Sequence, residues 1–205
     1  MPVKVRPQLG EQNEHRIHNM KLCCDLINGT LLKPKNVFSL QHCIGEPGEK
    51  RGFKTGPVII NGTLGHGSGG GICQISTVLF NTALLGNLRI LEKHNHSSDI
   101  WGENRMIGLG RDAAFVYLRK DLIFQNNSRY PLQVSLELDR STMTLTGSLL
   151  RPEMYNDEKV EISTDVLEDN TSHLWVVKTK RTATGTDGKS RTTYRKTEKY
   201  RKCNE

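Results

Sequence analysis

The 205-residue sequence lacks any apolar run approaching the roughly 18 residues that a membrane-spanning helix needs, which excludes a helical transmembrane segment in this chain. Its opening segment, MPVKVRPQLGEQNEH, has no apolar core of the kind found in secretory signals, so no export signal is visible. No sustained repeat is present, which excludes coiled-coil, collagen and solenoid architectures. Aromatic residues make up only 6%, yet the composition is too mixed for a wholly disordered chain.

Acidic residues are outnumbered, because 29 Lys and Arg against 22 Asp and Glu give a net charge of +7. Such an excess favours anionic partners, whether nucleic acid, anionic polymers or a membrane surface. Much of the excess lies between Lys178 and Lys202, where basic residues alternate with Thr and Gly. We interpret this stretch as a solvated β-rich face, with polyanion contact as the alternative. No nucleic-acid partner is predicted, because no recognition motif is present.

Cysteine is scarce and odd in number, and its spacing is not that of a disulfide-rich scaffold. At least one cysteine is therefore free or paired with another chain. The five cysteines are Cys23, Cys24, Cys43, Cys73 and Cys203.

Apolar residues at helical spacing predict a helix over 11–28, and a second is predicted over 73–85, ended by Gly86. The glycine-rich segment 65–71, GHGSGGG, is expected to be too flexible for a regular element. Strands are predicted where apolar residues alternate or run together, and a hairpin is predicted around Asp187-Gly188. The predicted strands are 37–40, 57–61, 89–93, 113–118, 122–125, 132–138, 143–149, 160–166 and 174–179.

These elements predict an α+β fold with two early helices packed on a mainly antiparallel β-sheet, followed by a β-rich C-terminal appendage. We divide the chain after residue 151. Residues 1–151 form the domain with the candidate site, and residues 152–205 form a basic β-rich appendage or partly ordered tail.

The segment with the clearest chemistry is Gly65–Ser76, GHGSGGGICQIS. Consecutive glycines let the backbone turn its N–H groups inward, and a cysteine at a helix start faces the positive end of the helix dipole. Both effects lower a thiol pKa, so Cys73 is a candidate nucleophile. The alternative is that Cys73 is a small buried hydrophobe beside a tight turn. Candidate substrate- or oxyanion-binding residues are Gly69, Gly70, Gly71, Gln74 and Ser76.

A nucleophilic cysteine needs a base, and His94 and His96 follow at the end of a predicted strand. One of these imidazoles could hold Cys73 as an ion pair and later protonate a leaving amine. The other reading is an exposed histidine pair on a loop. Candidates to orient the ring are Glu92, Asp99 and Asp112.

A metal site is a further alternative, because His66, Cys73, His94 and His96 are all zinc-ligand residue types. No CxxC or HExxH spacing supports a metal site, and the connecting glycines are flexible. The glycine segment is not followed by the Gly-Lys-Ser/Thr of a phosphate-binding loop either. We therefore predict no metal and no cofactor.

Over residues 15–138 the sequence resembles the VanW family, and the matching segments run in family order. They are Asn36–Ser39, Gly52-Phe53, Pro57–Ile59, Gly69–Thr77, Leu79–Asn81, Glu92–Ser97, Gly110–Ala113, Asp121-Leu122 and Asn126-Asn127. The Gly-Gly-Gly-x-Cys-Gln-x-Ser string within them is far more specific than a lone glycine loop.

The resemblance implies a peptidoglycan L,D-transpeptidase in which Cys73 attacks a carbonyl of a donor stem peptide, namely the carbonyl after the L-centre of meso-diaminopimelate. The terminal D-residue would leave, and the acyl group would pass through a thioester to an acceptor amine. The His-Ser string favours His96 over His94 as the base. Asp112 matches the family as the orienting residue, and Arg111 beside it is a candidate substrate-binding residue.

Two other functions stay open. One is a cysteine peptidase or amidase on the same peptides, and the other is a non-catalytic peptidoglycan- or glycopeptide-binding accessory protein. The partners implied are peptidoglycan stem peptides, with anionic wall polymers as a further partner of the basic tail. The resemblance implies a cell-envelope location, and the lack of a visible signal leaves the cytoplasm as the alternative.

Overall fold

The computed structural model describes residues 2–4, 11–60, 63–100, 102, 105–151, 158–169 and 173–202. The helices in this part are α1 (Glu11–Ile27), α2 (Leu40–Ile44) and α3 (Ile72–Leu85). Helices α1 and α3 lie where the sequence predicted them, whereas α2 was not predicted and begins at the last residue of the strand predicted over 37–40. The Ser39 hydroxyl starts α2, because it caps the helix by accepting the His42 N–H at 3.0 Å. No helix of the described part is long and apolar enough to cross a membrane.

The strands form four sheets, with orders β1-β10-β9-β2, β3-β8-β6, β4-β5 and β11-β12-β13-β7. All pairings are antiparallel except that of β13 with β7. The α+β class and the β-rich C-terminal part are thus confirmed, although several small sheets replace a single one. In chain order the strands are β1 (Pro2–Lys4), β2 (Leu31–Leu32), β3 (Val37–Ser39), β4 (Thr55–Ile60), β5 (Thr63–Ser68), β6 (Arg89–Glu92), β7 (Ser98–Asp99), β8 (Ile123–Gln125), β9 (Leu132–Asp139), β10 (Thr144–Leu150), β11 (Lys159–Asp169), β12 (Leu174–Thr184) and β13 (Ser190–Lys202).

Two predicted elements differ from the structure. The segment around His66, predicted to be irregular, is the second half of β5, because it pairs residue by residue with β4. The strand predicted over 113–118 is replaced by two isolated bridges, His94 with Ala114 and Val116 with Lys120. Leu118 has a φ of 59°, which turns the chain back and ends any extended run.

Helix α3 is the centre of the hydrophobic core, since every residue from 75 to 84 is buried. Most polar side chains of a helix that is buried all round are hydrogen-bonded within the protein, although the Ser76 hydroxyl of α3 has no partner. Asn81 donates to the Thr77 and Arg111 carbonyls at 2.7 Å each, and Thr82 donates to the Val78 carbonyl at 2.8 Å. The C-terminal half of α3 is therefore anchored in the core by its own polar side chains. Other large buried side chains are Met20, Ile27, Phe38, Leu40, Ile44, Phe53 and Phe124.

The C-terminal sheet packs against this core through buried charges. Arg181 of β12 donates to the Leu84 and Leu88 carbonyls, at 3.1 and 2.9 Å, where α3 ends. Lys93, just after β6, forms a 2.6 Å ion pair with Glu198 of β13, and both side chains are almost fully buried. Residues 158–202 of the described part are thus joined to the core by satisfied charges, and their hairpin lies where Asp187-Gly188 predicted it.

Replacing Lys93 with Met should leave the buried Glu198 carboxylate with only the more distant Lys196 ammonium, 3.5 Å from Oε1, which costs about 3 kcal/mol of unfolding free energy. Urea unfolding followed by circular dichroism measures the loss. As a control, Arg140→Gln removes one cation from an exposed ion pair with Glu14 and should leave the midpoint nearly unchanged. Equal midpoints for Lys93→Met and the parent protein would show that this pair does not hold the C-terminal sheet in place.

Candidate functional site

The glycine loop before α3 is held by Asn19, which is fully buried on α1. Its Nδ2 donates to the Gly70 carbonyl at 3.0 Å and to the Lys54 carbonyl at 2.9 Å, and its Oδ1 accepts the Lys54 N–H at 2.8 Å. A Cβ on Gly70 would lie 2.8 Å from the Pro57 carbonyl oxygen, so the strand-to-loop approach requires glycine there. The loop is therefore fixed to α1 and β4 by hydrogen bonds and close backbone packing. The sequence analysis did not identify Asn19. Its position next to Met20, in the apolar stripe of α1, was the one signal that this polar side chain is buried.

Gly71 caps α3 and brings the helix start against α1. Its φ is 102°, and a Cβ there would lie 2.9 Å from Cγ of both Arg16 and Met20. Cys73 is the second residue of α3, so its thiol lies in the first turn. The N–H groups of a first turn have no partner within the helix, and they form the positive end of its dipole. Both features favour a thiolate at Cys73.

Three side chains from separate segments meet at the helix start. The His96 ring and the Cys73 thiol line the same cavity and interact electrostatically. Nδ1 of His96 lies 2.7 Å from Oδ2 of Asp112, and the same oxygen accepts the His96 backbone N–H at 2.8 Å. Asp112 thus orients the ring so that Nε2 is the nitrogen left to face the sulfur. The Phe115 N–H also points at Sγ, at 3.4 Å.

The charges of these groups reinforce each other. Burial raises the pKa of Cys73, but the hydrogen bond and charge of His96 outweigh it, and the pKa lies below its usual value. Burial lowers the pKa of His96, but Asp112 and Cys73 raise it to about 10. Burial raises the pKa of Asp112, but the His96 hydrogen bond and the Lys93 charge lower it to about 2. A thiolate–imidazolium pair is therefore favoured at neutral pH.

Tyr200 of β13 completes the support of Asp112. Its hydroxyl donates to Oδ1 of Asp112 at 2.6 Å and accepts the Gly110 N–H at 2.8 Å, while the side chain is 1% exposed. Sequence reasoning missed this residue, because it lies in the stretch interpreted as a solvated face or tail. No local motif marks it, and only the docking of the C-terminal sheet brings it to the site.

The other candidate charged residues have partners other than Cys73 and His96. Nε2 of His94 lies 2.9 Å from the Glu92 carboxylate, which also accepts the Asp121 N–H. Asp99 forms an ion pair with Arg105 and lines the same cavity as Cys73. Of the three carboxylates considered as orienting groups, Asp112 is the one that contacts His96.

The remaining candidate binding residues divide into two groups. Gln74 lines the cavity, with its Nε2 3.5 Å from the Met106 sulfur and its Oε1 without a hydrogen-bond partner. Ser76 is fully buried inside α3 and is not part of the cavity wall. Arg111 lies along α3, where its Nε donates to Asn81 at 2.6 Å. His66 is exposed on β5, and Cys203 lies outside the described residues.

Cys73 lines a cavity of about 430 Å³. This volume lies in the range of pockets that enclose small-molecule or short-peptide ligands. Its wall combines the reactive side chains with the glycine loop, part of α1 and apolar residues. Among the lining residues are Arg16, Pro57, Val58, Gly69, Gly71, Cys73, Gln74, His96, Met106, Asp112, Phe115, Tyr117 and Tyr200.

The described part of the chain contains no group of three or more His, Cys, Asp or Glu side chains placed to hold a metal ion. Its four cysteines, Cys23, Cys24, Cys43 and Cys73, are all free thiols.

Comparison with known proteins finds a family and two curated relatives that match the part of the chain with Cys73, His96 and Asp112. The family described as "VanW like protein" matches residues 15–147. YoaR, an uncharacterized protein of Bacillus subtilis (strain 168), is 31% identical over 134 residues, 65% of this chain and 43% of that protein. The vancomycin B-type resistance protein VanW of Enterococcus faecalis (strain ATCC 700802 / V583) is 31% identical over 127 residues, 62% of this chain and 46% of that protein. The chain spans less than half the length of these curated relatives. No solved structure matches it significantly.

Cys73 should react with iodoacetamide at neutral pH, because its lowered pKa keeps the thiolate populated until the pH falls through that pKa. Cys23, Cys24 and Cys43 should stay unlabelled there, because burial raises the pKa of each. Peptide mapping across the pH range measures the order of labelling, with urea-unfolded protein as the control in which all thiols behave alike. Labelling of Cys73 only in step with Cys43 would contradict the ion pair.

Asp112→Asn should slow the alkylation of Cys73 below neutral pH by about tenfold, because an amide stabilises the His96 imidazolium much less than a carboxylate does. The His96 pKa should fall from about 10, and the Cys73 pKa should rise. Tyr200→Phe keeps the charge of Asp112 and should leave the profile much closer to that of the parent protein. The pH profile of alkylation separates the two variants, and an unchanged Asp112→Asn profile would exclude Asp112 as the orienting group.

Proposed function

Because this chain belongs to the VanW family, we propose that it is a cell-envelope protein that catalyses thiol-dependent acyl transfer on peptidoglycan stem peptides, of the L,D-transpeptidase type. The observation that carries the proposal is that Cys73 and the hydrogen-bonded pair His96–Asp112 line one cavity, where His96 lowers the pKa of the Cys73 thiol. A nucleophile, a base and a group that orients the base are the parts that covalent acyl transfer requires.

In the first half-reaction the Cys73 thiolate attacks the carbonyl carbon of the donor peptide. The new C–S bond forms a tetrahedral oxyanion, and collapse of this intermediate breaks the C–N bond of the scissile amide. Nε2 of the His96 imidazolium gives its proton to the leaving amine, while Asp112 keeps the ring in place through Nδ1. The products are a thioester on Cys73, a free D-residue and neutral His96.

In the second half-reaction neutral His96 accepts a proton from the acceptor amine as its nitrogen attacks the thioester carbonyl. A new amide bond forms, the C–S bond breaks, and the thiolate–imidazolium pair is restored. If water takes the place of the amine, the same residues release a carboxylic acid instead. Transferase and hydrolase therefore share this site and differ in how well the acyl-enzyme is shielded from water.

The oxyanion would lie beside the start of α3. Free N–H groups of a helical first turn and its dipole stabilise a developing negative charge. The Cys73 N–H belongs to that turn, and the Gln74 side chain on the cavity wall is a second candidate donor. We assign the glycines before the helix a supporting role, because they let α1 and β4 pack closely against the loop.

The basic C-terminal sheet is the proposed contact for anionic wall polymers. Strands β12 and β13 expose cations on neighbouring positions, so a polymer with regularly spaced negative charges would meet several at once. The exposed cations are Lys178, Lys180, Arg191, Arg195, Lys199 and Arg201. Such binding is electrostatic and should weaken as salt is added.

Cys73→Ala should abolish formation of cross-linked product from a purified stem peptide and an added amine, with a loss on the order of 10³-fold or more. Cys43→Ala is the matched control, because it removes a half-buried thiol that does not line the cavity. Mass spectrometry distinguishes the cross-linked product from the hydrolysed peptide. Activity retained in Cys73→Ala would overturn the proposal. Binding of the peptide without turnover in either form would favour the accessory binding protein.

A further inference from the structure

Arg16 is a buried cation on the wall of the same cavity. The residue is 5% exposed, although it lies on α1, one turn before the loop-holding Asn19. Its Nη2 donates to the Asn13 side chain at 2.8 Å, whereas its Nε is buried without a hydrogen-bond partner. Among the residues that the structure describes, no carboxylate lies within ion-pair distance of Arg16.

Burying an arginine side chain without a negative partner costs free energy, and a bound anion would offset that cost. Burial lowers the pKa of Arg16, and no neighbouring negative charge counters that effect. If the side chain served only to pack its stem, an apolar residue would do so without burying a charge. A guanidinium presents parallel N–H donors that match the two oxygens of a carboxylate, which makes it suited to bidentate binding of that group.

The position of Arg16 ties it to the nucleophile. A Cβ on Gly71 would lie 2.9 Å from Cγ of Arg16, so the arginine stem lies against the residue that caps α3. Cys73 follows two residues later, and both Arg16 and Cys73 line the cavity. The other arginine on this cavity wall, Arg105, is already paired with Asp99, its Nε 2.8 Å from Oδ1.

We propose that Arg16 binds a carboxylate of the substrate, namely the C-terminal carboxylate of the residue that leaves. This inference rests on the proposed function, in which a terminal D-residue is released and carries its carboxylate next to the scissile amide. The cavity then selects peptides that end one residue beyond the bond to be broken. Peptides that are amidated or extended at that end would be poor donors.

A first experiment tests the carboxylate site without any peptidoglycan. The rates of Cys73 alkylation by iodoacetate and by iodoacetamide are compared, because the two reagents differ in a single anionic group. The ratio of the rates should be about tenfold higher in the parent protein than in Arg16→Gln. Arg16→Lys should fall between them, and Arg140→Gln, which removes an exposed cation outside the cavity, should match the parent. Equal ratios in the parent and Arg16→Gln would overturn the proposal.

A version of this test needs no variant at Arg16 and remains decisive if Arg16→Gln does not fold. Protection of Cys73 from iodoacetamide is measured in the parent protein with a stem peptide that ends in a free carboxylate and with its C-terminal amide. The acid should protect at about tenfold lower concentration than the amide. Equal protection by both would contradict a carboxylate site.

A third experiment separates failure of this inference from failure of the proposed function. Binding of the same acid and amide peptides is measured by calorimetry in Cys73→Ala, and in Cys73→Ala combined with Arg16→Gln. A preference for the acid that disappears with Arg16 supports the inference. Equal binding of both peptides overturns the inference and leaves the acyl-transfer function standing. If neither peptide binds while the iodoacetate preference still depends on Arg16, the carboxylate site stands and the proposed substrate is wrong.

Discussion

The carboxylate of Asp112 accepts hydrogen bonds from two distant parts of the chain. Oδ2 accepts hydrogen bonds from the backbone N–H and from Nδ1 of His96, and Oδ1 accepts one from the Tyr200 hydroxyl. Because the group is buried, each of these bonds is made at low dielectric, and losing one would leave a charge poorly solvated. The segment after β6, the turn at Gly110 and the C-terminal strand β13 are therefore held in one arrangement by a single side chain.

The second support is helix α1, which reaches the site from the other side. Asn19 and Arg16 are three residues apart and share a face of the helix, as residues at that spacing do. Asn19 satisfies the backbone of the glycine loop, and Arg16 places a cation beside the cap of α3. One face of α1 thus holds the glycine loop through Asn19 and lines the cavity through Arg16. Gly71 makes this approach possible, since any side chain there would collide with α1.

Local sequence patterns predicted most helices and strands correctly. They failed where contacts between distant segments determine the secondary structure. Helix α1 buries Ile17, Met20, Cys24 and Ile27 at helical spacing, and α3 is apolar along most of its length, so both helices could be predicted from the sequence. His66 was placed in an irregular segment, since glycine-rich sequence has little intrinsic preference, yet pairing with β4 extends β5 through it. The strand predicted over 113–118 has suitable residues, but its neighbours offer only isolated bridges and Leu118 turns away.

For the site, the sequence alone determined the residue types and the local frame: a cysteine in the first turn of a helix after glycines, with a histidine and an aspartate further along. This was possible because helix starts and glycine turns depend on neighbouring residues. The residues alone left His94 and His96 as alternatives, and the family resemblance favoured His96 with Asp112. The tertiary structure brings this pair to the cavity that holds Cys73, and it turns His94 to Glu92. The parts supplied by Arg16 and Tyr200 depend on packing between segments far apart in the chain, for which no short sequence pattern exists.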